Sequence, residues 1–471
     1  MEHFAVNPYL PLNEYVPDGE PRLFNGRVYL YGSHDTAGGH FFCLEDYVAW
    51  SAPENDLKSW RYEGVIYRKT QDPANADGSL QLFAPDVVKG PDGRYYLFYC
   101  LKMLRQFSVA VSTSPAGPFE FYGYVKKKDG TLLSEYMPYD PAVLADDDGN
   151  IYLYYGFSSE MLAERFHTEI SPGAMAVRID RDMLTALSEP KICIPRNIYS
   201  RGTSFENHAY FEAPSIRKIR GRYYLIYSSE VCHELCYAVS DRPDEGFSYG
   251  GIIVDNADLG FKGRSVPVCI PGNNHGGLVE ADGKLYMFYH RHTHGTSFSR
   301  QGCAERVHML PDGSIEQAEI TSSGLNDGPL PTAGACPASV SCVLYGKNPE
   351  QLLDFRNVKL SAIPFITHSG TGEETEQYIT NISDETVIGY RYFDLEKVRG
   401  ISLTVRGHAD GRLSVYTDSP DTAPRSETAF TVSDAGWQDI AVPAELNGVH
   451  GLYFRFRGEG NFDFARFTFL K

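Results

Sequence analysis

Tyr210-Phe211-Glu212-Ala213-Pro214-Ser215-Ile216, followed shortly by Gly221-Arg222-Tyr223-Tyr224-Leu225-Ile226-Tyr227, sets a carboxylate ahead of a turn and an aromatic-rich strand. The same plan recurs in Gly26-Arg27-Val28-Tyr29-Leu30-Tyr31, Gly93-Arg94-Tyr95-Tyr96-Leu97-Phe98-Tyr99, Gly149-Asn150-Ile151-Tyr152-Leu153-Tyr154-Tyr155 and Gly283-Lys284-Leu285-Tyr286-Met287-Phe288-Tyr289. The turn glycines lie 67, 56, 72 and 62 residues apart, a spacing that marks stacked supersecondary units. Asp-Gly pairs at Asp92-Gly93, Asp129-Gly130, Asp148-Gly149, Asp282-Gly283 and Asp312-Gly313 suit the positive φ of tight reversals between strands. Five units, each with room for several strands and few helical patterns, predict a five-bladed β-propeller over residues 1–325.

Seven to nine residues before each turn glycine stand Asp18, Asp86, Asp140, Glu212 and His275. Each sits in a short segment containing Pro or Gly. A radial arrangement brings equivalent positions to one axis, so these five ionisable groups are expected to surround a single pocket. Acids before Pro or Gly also cap turns, and any one of them alone carries no more than that reading.

The chain has 471 residues, enough for two or three domains and a large core. Its aromatic share is 13%, with much of it in the repeated strands, where such side chains fit a pleated, half-buried surface. A net charge of −18 argues against nucleic-acid and anionic-membrane partners, which require clustered Lys and Arg. A neutral or weakly charged substrate fits better. No run approaches the roughly 18 apolar residues of a membrane span. Met1-Glu2-His3-Phe4-Ala5-Val6-Asn7-Pro8 has neither a basic nor an apolar leader region. The nine scattered cysteines suit reduced thiols, so a cytoplasmic location is expected. Cys232 and Cys236 lack a second ligand pair and read as buried or edge cysteines rather than a zinc site. His290, His292 and His294 share one strand face and read as a solvated or substrate-facing strand end.

After Asp312-Gly313 the composition changes. Residues 326–345 are rich in Gly and Pro and read as a linker packed across both domains through Leu330, Val340 and Leu344. Strand-like runs return in Ile401–Val405, Leu413–Tyr416, Gln438–Val442 and Leu452–Phe456, predicting a β-sandwich (jelly-roll) domain over 346–471. Its single tryptophan, Trp437, begins a strand and is expected in the core.

On Pro17-Asp18-Gly19-Glu20-Pro21, Tyr139-Asp140-Pro141-Ala142-Val143 and Phe211-Glu212-Ala213-Pro214-Ser215, in that order and each leading into a repeat strand, the first 325 residues resemble glycoside hydrolase family 43. The remainder is similar in pattern to family 6 carbohydrate-binding β-sandwiches. The resemblance implies an inverting exo-hydrolase with Asp18 as base, Glu212 as acid, and Asp140 placing the acid and raising its pKa. It further implies Phe83 as an aromatic wall, where the family usually has Trp, with His34 and Arg300 lining the cavity. His275 corresponds to the family's axial histidine, which in some members sits near a calcium ion, so calcium is a possible structural ion. No cofactor is required for the chemistry. The implied activity is β-xylosidase with α-L-arabinofuranosidase on xylan or arabinoxylan oligosaccharides. Arabinofuranosidase action alone, endo-arabinanase action and a non-catalytic sugar-binding propeller are the alternatives. The motifs Asn-Asp-Pro-Asn-Gly and Arg-Asp-Pro of the retaining fructosidase-type propellers are absent.

Overall fold

The structure, a computed structural model, describes residues 6–166 and 169–471. The chain is all-β, a five-bladed propeller followed by a curled β domain. The first strands of the five blades are Glu20–Phe24, Asp86–Lys89, Ala142–Ala145, Tyr210–Ile219 and Leu278–Ala281. Each pairs antiparallel with one of the aromatic strands Arg27–Tyr31, Tyr95–Tyr99, Ile151–Tyr155, Arg222–Ser229 and Lys284–His292.

Both faces of these aromatic strands are apolar because each is sandwiched between two neighbouring blades. Tyr95, Leu97 and Tyr99 pack toward Tyr29 and Tyr31 of the first blade, whereas Tyr96 and Phe98 pack toward Leu153 and Tyr155 of the third. Tyr152 and Tyr154 share a core with Tyr223, Leu225 and Tyr227, and Tyr224 and Ile226 with Met287 and Tyr289. Tyr286 and Phe288 then meet Val28 and Leu30 of the first blade, which closes the ring. Alternation of side chains along a strand thus feeds two cores from one run. Truncating one of these buried rings to alanine removes about 3–5 kcal/mol.

Among the described residues the fifth blade has three strands, and its open edge is covered by the segment around Asn7 and Tyr9. Tyr9 N–H donates to the Gly302 carbonyl at 3.3 Å, and the Asn7 amide exchanges hydrogen bonds with the backbone of Ala304 at 3.0 and 3.1 Å. The Asp-Gly reversals form as expected, with Gly93 at φ +85° and Gly149 at φ +82°.

In the C-terminal domain, two of the runs, Ile401–Val405 and Leu413–Tyr416, prove to be one continuous strand, whereas Gln438–Val442 and Leu452–Phe456 lie in strands of their own. Val398–Thr417 and Val449–Leu470 pair along their lengths, from Gly400 opposite Leu470 to Thr417 opposite Leu452. They bend through both layers, so a single nine-stranded sheet curls over a phenylalanine-rich core. Within this pair Gly411 faces Gly458, and a Cβ on either would lie 2.2 or 2.3 Å from a backbone oxygen. His408-Ala409-Asp410-Gly411 therefore resembles a turn in sequence but is strand. Trp437 is not in this core. It lies half-buried under the Arg406 guanidinium, 4.4 Å from the ring, beside Tyr378.

Leu330, Val340 and Leu344 are buried. Val343, Val387, Tyr416 and Tyr453 share one core with Ile226, Leu235 and Met287 of the propeller. Buried Arg391 pairs with Asp258 at 2.8 Å and donates to the Tyr453 hydroxyl at 2.9 Å. Removing residues 346 to 471 strips this shared core, so the truncated propeller is expected to be insoluble or to melt well below the full chain. A monomeric truncation product with an unchanged Tm and full activity on short substrates would overturn this. No helix among the described residues is long and apolar enough to cross a membrane.

Candidate active site

Two residues before the first and third inner strands the chain turns through left-handed backbone, at Asp18 (φ +56°) and Asp140 (φ +47°). Side chains rarely adopt this conformation, which concentrates at functional positions. Glu212 is aimed differently. Its strand carries register shifts on both sides of it, between Tyr210 and Glu212 and between Glu212 and Ser215, with Ala213 at φ +64°. Such bulges re-aim a side chain out of the regular ladder.

Asp18, Asp140, Glu212, Phe83, His275 and Arg300 all line one cavity of about 1120 Å³. Two site expectations fail. The His34 ring is held by the Asp46 carbonyl and Glu14, each at 2.9 Å, and is not part of the cavity lining. Asp86 is directed instead to Arg22, Nε donating to Oδ1 at 2.9 Å, so four rather than five of the repeated ionisable groups meet in the cavity. The sequence reading also missed Asp35, which clamps Arg300 through Nε at 2.8 Å and Nη2 at 3.0 Å.

The electrostatics divide the three carboxyls. Burial alone would raise Asp18, but Arg300 Nη1 donates to its Oδ1 at 2.7 Å and the balance falls below the ordinary carboxylate range. Burial holds His275 down to about 4 and His290 down to about 3, so near neutral pH Arg300 supplies the positive charge. The Asp18 N–H donates to His290 Nδ1 at 3.3 Å, and His290 Nε2 faces the Asn273 carbonyl at 2.6 Å. That pattern fits the neutral ring with its proton on Nε2. Asp140 moves the other way. Burial, then the neighbouring charges of Glu212 and Asp18, push it well above the usual range, against a hydrogen bond from the Ala213 N–H. The Asp140–Glu212 pair thus retains a proton while Asp18 is ionised.

Phe41, Phe42, Phe83, Tyr139, Phe157, Phe211 and Phe298 supply the aromatic lining, and Val358 and Leu360 reach it from the C-terminal domain. The Phe83 ring leans on Tyr139 at 5.3 Å. The histidine run is not a solvated strand end. His290 and His292 are buried, and His294 meets His368 of the C-terminal domain at 2.6 Å. Cys232 borders the cavity, whereas Cys236 lies by Glu234 and His208, so the two cysteines form no common ligand pair. None of the nine cysteines, all among the described residues, forms a disulfide.

A split of this kind, one carboxylate held ionised and a carboxyl pair holding a proton in one sugar-sized aromatic cavity, suits hydrolysis of a glycosidic bond. The profile of glycosyl hydrolases family 43 matches residues 18–315. The chain belongs to that family. A xylosidase/arabinosidase of Thermoclostridium stercorarium is 48% identical over 99% of both chains. A xylosidase/arabinosidase of Bacteroides ovatus is 30% identical over 60% of this chain and 87% of its own length. Among solved structures, a family 43 β-xylosidase/α-arabinofuranosidase from a compost metagenome, in complex with xylotriose, is 29% identical. It gives a TM-score of 0.53 over 67% of this chain and 97% of that one. An arabinoxylan arabinofuranohydrolase from Bacillus subtilis, at 21% identity and TM-score 0.52, covers 98% of this chain and 96% of its own, a likeness of fold. The family 43 chain is a glycoside hydrolase.

Proposed function

We propose that this family 43 enzyme is an inverting, exo-acting β-xylosidase that also removes α-L-arabinofuranose, acting on oligosaccharides from xylan and arabinoxylan. The observation that carries the mechanism is the placement of three carboxyls in one cavity with Arg300 donating to Asp18, which holds Asp18 low while burial and Glu212 push Asp140 up. Asp18, kept ionised by Arg300, takes the proton from the attacking water. Glu212 delivers a proton to the departing oxygen, and Asp140 keeps that proton on the pair. The chemistry calls only on these side chains and water. Support for the sugar comes from the T. stercorarium xylosidase/arabinosidase, whose similarity runs through both domains.

Initial rates on p-nitrophenyl β-D-xylopyranoside and p-nitrophenyl α-L-arabinofuranoside, measured side by side, are expected to show turnover of both. Turnover of the arabinoside alone would reduce the enzyme to an arabinofuranosidase. NMR of the first product anomer should show the α form from β-linked xylose, and initial release of the β anomer would sink the inverting assignment.

A further inference from the structure

Beside the catalytic cavity, the innermost strands of all five blades are tied together by two arginines. Arg22, from the first blade, grips both oxygens of Asp86 in the second and donates to the Val143 carbonyl in the third at 3.1 Å. Arg217, from the fourth blade, donates to Leu278 O of the fifth at 2.6 Å and to Pro21 O of the first at 2.7 Å. It also pairs with Glu20 at 2.6 Å. Side chains that reach the inner strands on both sides of the ring occupy its axis. Two carboxylates and two guanidiniums cancel in charge there, and the carboxylates are almost fully buried.

A calcium ion beside His275 would need six to eight oxygen ligands at about 2.3–2.6 Å. Asp86, whose charge acts on His275, already accepts from Arg22 on both oxygens and from Val143 N–H at 2.7 Å. Glu20 accepts from Arg217 and from the Ser215 hydroxyl at 3.1 Å. Asp18 accepts from Arg300. Gly277, two residues past His275, abuts the cluster so closely that a Cβ there would lie 2.5 Å from Glu20 Oε2 and 3.1 Å from Arg217 Nη2. The residues present do not fit a metal: Asp86 gives both oxygens to Arg22, Glu20 and Asp18 each give one oxygen to an arginine, and a divalent ion would face guanidinium groups.

We propose that Arg22 and Arg217 stand where a metal ion would otherwise neutralise the propeller axis, so that this enzyme's stability and turnover are independent of calcium. The cation is built into the chain and cannot be lost to a chelator. What it neutralises is the pair Glu20 and Asp86, which a ring of inward-facing strand ends brings together. The inference concerns the axis and not the sugar, so it stands apart from the substrate assignment.

The test uses the full-length enzyme after exhaustive EDTA treatment, with Tm and bound-metal content measured alongside rate. The expected result is no stoichiometric calcium in the purified protein, and no change in Tm or kcat/KM on chelation or on adding calcium chloride. A saturable rise in Tm with calcium, the mark of a ligand that binds the native state, or activity lost to EDTA and restored by calcium, would overturn the proposal. Arg217→Met should lower Tm and make it rise with calcium, because Glu20 is then released as a ligand. Arg217→Lys, which keeps a cation, should not gain that response. A folded Arg217→Met protein indifferent to calcium would refute the substitution of guanidinium for metal. If Arg217→Met fails to fold, Arg22→Met, which releases Asp86, serves in its place, while the wild-type measurements decide calcium independence on their own.

Discussion

Glu212→Ala is expected to lose about 10²–10⁴-fold in kcat/KM on xylobiose and to retain far more of its rate on an aryl xyloside with an acidic leaving group. The departing xylose oxygen is a poor leaving group and needs a proton as the bond breaks, whereas a nitrophenolate leaves without one. Asp18→Ala should lose activity on both substrates alike, because the water attacks in either case. The comparison reads role rather than presence. Glu212 sits at a double register shift that turns its side chain into the cavity, and alanine there removes the proton donor while leaving the bulge in the backbone. Parallel kcat/KM measurements on the two substrates decide it. Equal losses for Glu212→Ala on both would remove Glu212 from the acid role.

Much of this was legible because propeller blades impose a demand that a sequence must meet locally. A strand covered on both faces needs large apolar side chains at both parities, and Tyr95 to Tyr99 or Ile151 to Tyr155 can satisfy that only between two neighbours. The repeat therefore announced the ring before any contact was known. Asp86 shows where that reasoning failed. Asp18 and Asp140 precede their strands by two residues, whereas Asp86 is the first residue of its strand. The counterpart of Asp18 in the second blade is Ala84, which does line the cavity. Asp86 corresponds to Glu20, the carboxylate it joins on the axis. Counting back from a turn glycine, with strand lengths unknown, could not detect a two-residue offset.

The partners of Arg300 were illegible for a different reason. Asp18 and Asp35 lie 282 and 265 residues away in sequence, joined only by closure of the fifth blade onto the first. No local pattern distinguishes Asp35 from its neighbour His34, which points to Glu14 instead. Gly411 shows a further ambiguity, since a glycine demanded by close strand pairing looks the same in sequence as one demanded by a turn.

Asp140→Asn should slow the enzyme and shift its pH optimum, while stabilising it at higher pH. With its negative neighbour removed, Glu212 gives up its proton at lower pH, so the alkaline limb of kcat/KM should move down by about one pH unit or more. The acid limb belongs to Asp18, which stays paired with Arg300, and should move little. The stability effect has the opposite sign to the loss of activity. Asp140 has a folded-state pKa raised above its unfolded value, so its favourable contribution is fully present below the unfolded pKa and is lost as pH rises through the folded one. Asparagine does not titrate, and the variant escapes that loss. The Tm advantage of Asp140→Asn over wild type should therefore widen from acid toward neutral and alkaline pH. Rate–pH profiles on the xyloside and melting curves across the same buffers test both halves. An unmoved alkaline limb would show that Asp140 does not set the protonation of Glu212. A Tm difference that is flat with pH would show that the buried carboxyl carries no strained charge.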